Sequence, residues 1–465
     1  MHRKAQVAVI GAGPAGLAAA QILFRHGAEI LIIDENRSPG GQLLRQGRDQ
    51  ARVWPREVHT SGKILQSSAP PCPALNRAQV LGLEADGCLW VEDGQGRMLS
   101  IQADIVLMAP GARERFVPFP GWTLPGVMST GAVQLMLKES RVLAGQNMLL
   151  AGCTPLLYAL GAEIVASKGR VQGIVDQAGL KSALNLLFAA GRAGSPLAAA
   201  LGSMFMIRRG RVPVHRQRKI LAARGSRELE QVVTVKLDGR GEPVPGSEQT
   251  HSTRVAAVGH GFVPQGELPA QAGCRLIQDV HPGAWAVEVD ERMQTSLPAV
   301  YAAGEATGIG GGGKAMLEGR MAAWAILQDL GLVPKAEADG LLERLRARRG
   351  TWLAYGRAVH TYCRPLGPSL WDLPGDTVIC RCENVTLAEV KGRVEEGFHT
   401  LGALKKSARC GMGMCQGRTC QPIVSEMLAE RFPDVHVQPP SARMPVKAVS
   451  VVNLARKHEP EEGDN

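Results

Sequence analysis

Five of the chain's ten cysteines fall between positions 380 and 420, as Cys380-Arg381-Cys382 and then Cys410, Cys415 and Cys420. A Cys-x-Cys pair followed about thirty residues later by further cysteines suits four thiolates around one metal centre. Four thiolates hold zinc tetrahedrally, and they also hold a two-iron cluster. The second group lies in Cys410-Gly411-Met412-Gly413-Met414-Cys415-Gln416-Gly417-Arg418-Thr419-Cys420. Its glycines free backbone N–H groups to hydrogen-bond bridging sulfides, which favours a 2Fe-2S cluster over zinc. Cys415 and Cys420 bracket the Gln-Gly-Arg-Thr loop, whereas Cys410 precedes the glycine turn. The expected ligands are therefore Cys380, Cys382, Cys415 and Cys420. Such crowding in a cytosolic chain points to a metal or redox centre rather than to disulfides.

A second chemical stretch opens the chain. Val7-Ala8-Val9-Ile10 reads as a buried strand and leads into Gly11-Ala12-Gly13-Pro14-Ala15-Gly16. A helical pattern follows, then the apolar run 30–33, then Asp34 and Glu35. Strand, Gly-x-Gly-x-x-Gly, helix, strand and acid are what a dinucleotide site requires. Gly11 permits the tight turn and Gly13 lets the backbone approach a pyrophosphate. Gly16 allows close helix–strand packing. Pro14 and Ala15 open the helix, whose N-terminus favours negative charge. Asp34 is placed to accept hydrogen bonds from an adenosine ribose. Gly40-Gly41-Gln42 can bring further N–H groups against the ligand.

The remaining elements must position these two sites. Residues 104–108 form a buried strand that ends in a turn at Gly111. Three prolines and two glycines between 118 and 126 make a stiff crossover into a second domain. That domain starts with a damaged glycine turn, Gly152-Cys153-Thr154-Pro155-Leu156-Leu157. Thr154 stands where the second glycine would admit a pyrophosphate, and Leu157 stands where the third would admit close packing. The fold can persist there while nicotinamide nucleotide binding is lost. The domain carries no Cys-x-x-Cys, which excludes a dithiol mechanism. Residues 177–216 read as a helical insertion, with Met204-Phe205-Met206-Ile207 taken as core. His260, between two glycines, is either a cofactor contact or a satisfied loop histidine. Near the end of the first domain, Thr295 leads through a short apolar strand to Gly304-Glu305. Five glycines in the six residues 308–313, Gly312 among them, then open a helix carrying Lys314 and Ala315. That N-terminus can face a flavin or its pyrophosphate.

The net charge of +10 leaves acidic partners open, including a partner chain or a membrane surface. Only 4% of residues are aromatic and no nucleic-acid-binding module is present, so nucleic acid is not an expected partner. The most apolar stretch, 183–207, is interrupted by Arg192, Gly194 and Pro196 and is rejected as a membrane span. A strand within the first ten residues leads to the expectation of no secretory signal and a cytoplasmic chain. No acid–base or nucleophile constellation marks a substrate site, so no catalytic residue is expected.

Together, residues 11–16, 39–42, 118–127, 304–319 and 380–420 resemble the large alpha-type subunit of heteromeric, dye-linked amino-acid dehydrogenases. That group includes opine, hydroxyproline and proline dehydrogenases and hydrogen cyanide synthase, and it is related to the alpha chain of sarcosine oxidase. The 39–42 stretch is similar to the Gly-Gly-Gln of thioredoxin-reductase-like flavoproteins, which lies beside the flavin ring. Pro110 departs from the Ala-Thr-Gly in which such strands end. Glu305 replaces the Asp that binds the ribityl chain in the second FAD fingerprint.

The resemblance implies an α/β chain with two Rossmann-like dinucleotide-binding domains of thioredoxin/glutathione-reductase type and a small BFD-like 2Fe-2S domain. The implied boundaries are 1–120 with 252–330, then 121–251, a connector at 331–375, the cluster domain at 376–430 and a tail at 431–465. The implied cofactors are FAD and a 2Fe-2S cluster, with FMN at a subunit interface in some relatives. In some relatives NAD or another adenine nucleotide occupies the first site. The implied partners are a beta subunit of flavin-dependent amino-acid-oxidase type and a small ferredoxin-like subunit, with at most peripheral association with the inner membrane face. The resulting expectation is an electron-transfer subunit of a dehydrogenase acting on the C–N bond of an amino or imino acid. A stand-alone NAD(P)H-dependent flavoprotein reductase is the alternative, and a purely structural scaffold is the third reading.

Overall fold

The structure is a computed structural model that describes residues 2–45, 72–279, 281, 283–434, 437–439 and 441–455. Composition marks residues 67–73 as a loop, and most of that stretch lies outside these residues. The strand His2–Ile10 sits inside a seven-stranded sheet because Val7, Ala8 and Val9 have no exposed face. It pairs in parallel with Ile30–Asp34 on one side and with Met98–Met108 on the other. The strand expected at 104–108 extends back to Met98 as one continuous strand. Its first leg carries the antiparallel hairpin of Gln79–Leu83 and Cys88–Glu92. Its second leg pairs in parallel with Val300–Ala302. The helices Pro14–Arg25 and Gly311–Asp329 cover one face, with Leu17, Leu23, Met321 and Ile326 in the shared core.

A second, five-stranded parallel sheet runs in the order Val214–Arg216, Arg170–Asp176, Asn147–Gly152, Ala256–Gly259, Val127–Ser129. The strand Ala256–Gly259 falls within the stretch expected in the first domain. Its register, with Ala257 between Leu150 and Met128, makes it an inner strand of the second sheet instead. The chain returns to the first domain through Phe262–Pro264, which pairs with Ala112–Glu114.

The insertion folds as the helices Leu180–Ala193 and Ser195–Arg209. Met204 and Phe205 are not core: they are 41% and 63% exposed, while Ser203 and Ile207 are buried. Helical periodicity turns those two pairs to opposite faces.

The connector is more than a linker. Its helix runs over Lys335–Tyr362, well past the charged segment that ends at Arg349. Trp352 and Tyr355 project onto the glycines at the start of Gly311–Asp329. Gly356 permits this approach, since a Cβ there would lie 2.3 Å from the Ile309 carbonyl oxygen.

The cluster domain pairs Val378–Cys380 with Val385–Thr386 and packs the helices Leu387–Glu395, Leu401–Ala408 and Cys420–Arg431 around Ile379, Leu387, Ile423 and Met427. A reciprocal cap between Thr386 and Glu389 starts its first helix. The segment read as a tail folds back onto the first domain. Val446 donates to the Leu81 carbonyl at 2.8 Å, and Asn453 donates to Glu92 at 2.6 Å. Among the described residues, no helix is long and apolar enough to cross a membrane.

Candidate functional site

At the first glycine turn, Gly11 has φ +103° and donates to the Ile33 carbonyl at 2.8 Å. Gly16 lies so close to it that a Cβ would fall 1.9 Å from the Gly11 carbonyl oxygen. Gly13 differs: among the described residues, its chain neighbours aside, a Cβ there would meet no atom within 4 Å. The turn is therefore closed towards the sheet and open towards a ligand, with Pro14 and Ala15 starting the helix behind it. Gly41 folds over the turn, its Cβ position 3.0 Å from Gly13 Cα, with Gln42 next to it in the short helix Gly41–Leu44. Gly111 lies on the far side with φ +80°. Asp34 ends its strand and is buried, and its two oxygens already accept from the backbone N–H of Ala12 (2.5 Å) and Asn36 (2.7 Å). A carboxylate has about four acceptor sites, so it retains capacity for a ribose. Glu35 pairs with Lys447 of the returning C-terminal segment.

At the second glycine stretch, Gly304 is wedged between Ala15 and Ala315, and Gly312 abuts Leu43. The Glu305 carboxylate turns onto the helix N-terminus and accepts from Gly311 N–H at 2.6 Å. The chain thus supplies its own anion where the helix dipole favours one. Burial pushes this carboxyl up, against Lys314 and the N–H groups of Gly310 and Gly311.

Sequence reasoning missed the network beneath it. Lys314 is fully buried, and its ammonium donates to the carbonyls of Gly304 and Gly308, to Thr307 and to Glu318, all at 2.8–2.9 Å. Glu318 also takes Gly304 N–H and the Arg349 guanidinium. The only sequence signal was the Lys–Glu pair at i, i+4. Replacing Lys314 with Met strands a buried carboxylate and three further acceptors. Urea denaturation of the variant is expected to show a stability loss of about 3 kcal/mol, at the lower end for breaking a buried pair because Arg349 still faces Glu318.

The second domain's crevice is occupied by the chain itself. Thr154 is buried, and its methyl group crowds the position a Gly259 Cβ would take. Leu157 lies in the domain core. Asp176 ends the second strand, where a nucleotide site keeps its ribose-binding acid. Its Oδ2 accepts instead from Tyr158 and from Tyr362 of the connector helix, each at 2.6 Å. Burial and the Asp176 charge push both phenols well up, so both remain donors. Just beyond, the Cys363 carbonyl accepts from Cys153, and the Leu366 carbonyl accepts from Gln177 and Lys219. His260 is buried nearby and held neutral, its pKa lowered to about 3 by burial, Arg115 and Lys219.

In the cluster domain the thiols form two groups. Cys382 meets Cys415, whose backbone N–H also points at the Cys382 sulfur. Cys380 meets both Cys410 and Cys420. These two thiols, with the N–H groups of Gly411 and Glu383, pull the Cys380 thiol down to about 2. The same contacts hold Cys410 and Cys420 up, because three thiols share one charge. Cys415 accepts from the N–H groups of Thr419 and Gly417. Paired sulfurs ringed by backbone donors fit a two-iron cluster with two thiolates per iron.

The fold and sites define a two-dinucleotide-domain oxidoreductase chain with a fused iron–sulfur domain. Residues 5–149 match the family described as pyridine nucleotide-disulphide oxidoreductase, and residues 378–430 match the BFD-like [2Fe-2S] binding domain. The chain is 33% identical to an opine oxidase subunit of Rhizobium meliloti (strain 1021), over 97% of this chain and 98% of that one. It is 30% identical to the hydrogen cyanide synthase subunit HcnB of Pseudomonas aeruginosa, over 90% and 92%. The fold is shared with L-proline dehydrogenase from P. horikoshii, at a TM-score of 0.70 and 20% identity, over 98% of this chain and 80% of that one. The chain belongs to the family of this opine oxidase subunit and HcnB, and it is an oxidoreductase chain with a BFD-like 2Fe-2S domain.

Proposed function

We propose that this chain transfers electrons in a dehydrogenase complex whose partner chain oxidises the C–N bond of an amino or imino acid. The acceptor is not NAD. The observation that carries this reading is the self-occupied second crevice: Tyr158, Tyr362 and the Ala178 N–H all bond the carboxylate of Asp176, and residues 363–366 lie across the turn that would hold a pyrophosphate. FAD is the nucleotide proposed for the first site. Gly13 admits its pyrophosphate and Asp34 faces its ribose. A bound flavin supplies two-electron chemistry and the cluster one-electron chemistry.

The chain's own residues hold these groups in fixed register. Arg113 and Arg115 tie the first domain to the cluster domain through the Arg418 carbonyl and Glu426, and Trp122 bonds the Val378 carbonyl at 2.7 Å. The kinship with these relatives supports further parts of the same proposal: a flavin-dependent amine-oxidising partner, FMN at the interface between the two, and a small ferredoxin-like subunit. The exposed Leu184, Phe188, Leu201 and Phe205 of the inserted helices support an assembled state. The proposed location is the cytoplasm, at most peripheral to the inner membrane.

The test is anaerobic titration of the full chain with NADH and NADPH after flavin, iron and sulfide have been quantified. The expected result is no bleaching by either nucleotide and full reduction by dithionite. Bleaching at stoichiometric NADH or NADPH would return the chain to the class of stand-alone reductases.

A further inference from the structure

Three charged side chains from three segments meet between the first domain and the cluster loop. Arg113 lies on the strand Ala112–Glu114, directly after the Gly111 turn of the nucleotide site. Its Nε donates to the Arg418 carbonyl at 3.1 Å, and its Nη1 lies 2.6 Å from Glu267 Oε1. Arg418 Nε is 4.0 Å from the same oxygen. Each of the three side chains is only 22–23% exposed. Arg418 belongs to the loop between Cys415 and Cys420, and its Nη1 donates back to the Cys415 carbonyl at 3.2 Å. The Arg113 guanidinium also senses the charge of the Cys415 sulfur. One carboxylate thus stands between two guanidiniums, and the triad carries a net positive charge against the cluster ligands.

We propose that Arg113, Glu267 and Arg418 set the reduction potential of the 2Fe-2S cluster, Arg113 raising it and Glu267 lowering it. The inference rests on the cluster reading given above. A two-iron cluster held by four thiolates is already negative, and reduction by one electron adds a further negative charge. A neighbouring positive charge therefore stabilises the reduced form, more so where water is largely excluded. Arg113→Gln makes the triad neutral and favours the oxidised cluster. Glu267→Gln makes it doubly positive and favours the reduced cluster. Arg113 is a positioning residue here, and opposite signs from two adjacent neutralisations are something a purely structural role does not produce.

The test is a mediated potentiometric titration of the full-length chain followed by electron paramagnetic resonance, with iron and sulfide measured on each variant. Arg113→Gln is expected to move the midpoint to more negative potential and Glu267→Gln to more positive potential. Arg113→Lys should stay close to the unaltered chain, and the double Gln variant should lie between the single ones. Equal midpoints, or shifts of the same sign, with iron and sulfide intact would overturn the proposal. So would loss of the cluster from both Gln variants, because the triad would then only hold the fold. Absence of iron and sulfide from the unaltered chain would instead overturn the cluster reading itself.

Discussion

Replacing Cys382, Cys415 or Cys420 with Ala is expected to abolish the 2Fe-2S cluster, while Cys410→Ala leaves it in place. Iron, acid-labile sulfide and the visible absorption of the full chain are the measurements. The pairing of Cys382 with Cys415 fixes one end of the cluster, since the two thiols bond each other. At the other end Cys380 has two neighbours, and the choice lies between Cys410 and Cys420. Helix polarity decides it. Cys420 is the first residue of the helix Cys420–Arg431, where the dipole and unpaired N–H groups stabilise a thiolate. Cys410 follows the C-cap residue Arg409 of Leu401–Ala408, at the negative end of that helix, where a thiolate is disfavoured. Cys410 then remains a protonated thiol in the apolar core beside Ile423 and Val424. Cluster retention in Cys420→Ala together with loss in Cys410→Ala would transfer the fourth position to Cys410.

Both chemical stretches were legible because each is local. Gly11 to Gly16 and the Cys380 to Cys420 segment carry their geometry within one turn or one small domain, so residue type and spacing suffice. What stayed hidden is long-range. The damaged turn at Thr154 and Leu157 indicated a lost nucleotide site, yet nothing in the sequence joins Asp176 to Tyr362, 186 positions further on. Only the packing of the connector helix makes that contact. Lys447 reaches Glu35 in the same way, across 412 positions, which is why the C-terminal segment read as a tail. Glu305 shows a third kind of hidden contact. The short glycine loop after it lets the carboxylate fold back onto the Gly311 N–H, which the motif does not specify. Met204 and Phe205 failed for a fourth reason: their apolar character says that a face wants covering, not that this chain covers it.

Gly13→Ala is expected to fold like the unaltered chain and to lose its bound nucleotide, with affinity falling at least tenfold, about 1.4 kcal/mol or more. The backbone at Gly13, φ −77° and ψ −174°, is open to any residue, and an added methyl group meets no atom of the described residues within 4 Å, its chain neighbours aside. The penalty falls on what lies outside the turn, where a pyrophosphate would approach the backbone. The neighbouring glycines serve as contrasts. Gly11→Ala puts a side chain at φ +103° and 2.3 Å from the Ala109 carbonyl oxygen. Gly16→Ala drives one to 1.9 Å from the Gly11 carbonyl oxygen. Both should fail as folding variants, with aggregated or protease-sensitive chain, because the clash is with backbone that cannot move aside. Nucleotide released by denaturation and measured per mole of chain, beside a thermal melt of the apo-protein, separates the cases. Unchanged nucleotide content in a normally folded Gly13→Ala chain would mean that no pyrophosphate rests on this turn, and the first domain would need another explanation for its open face.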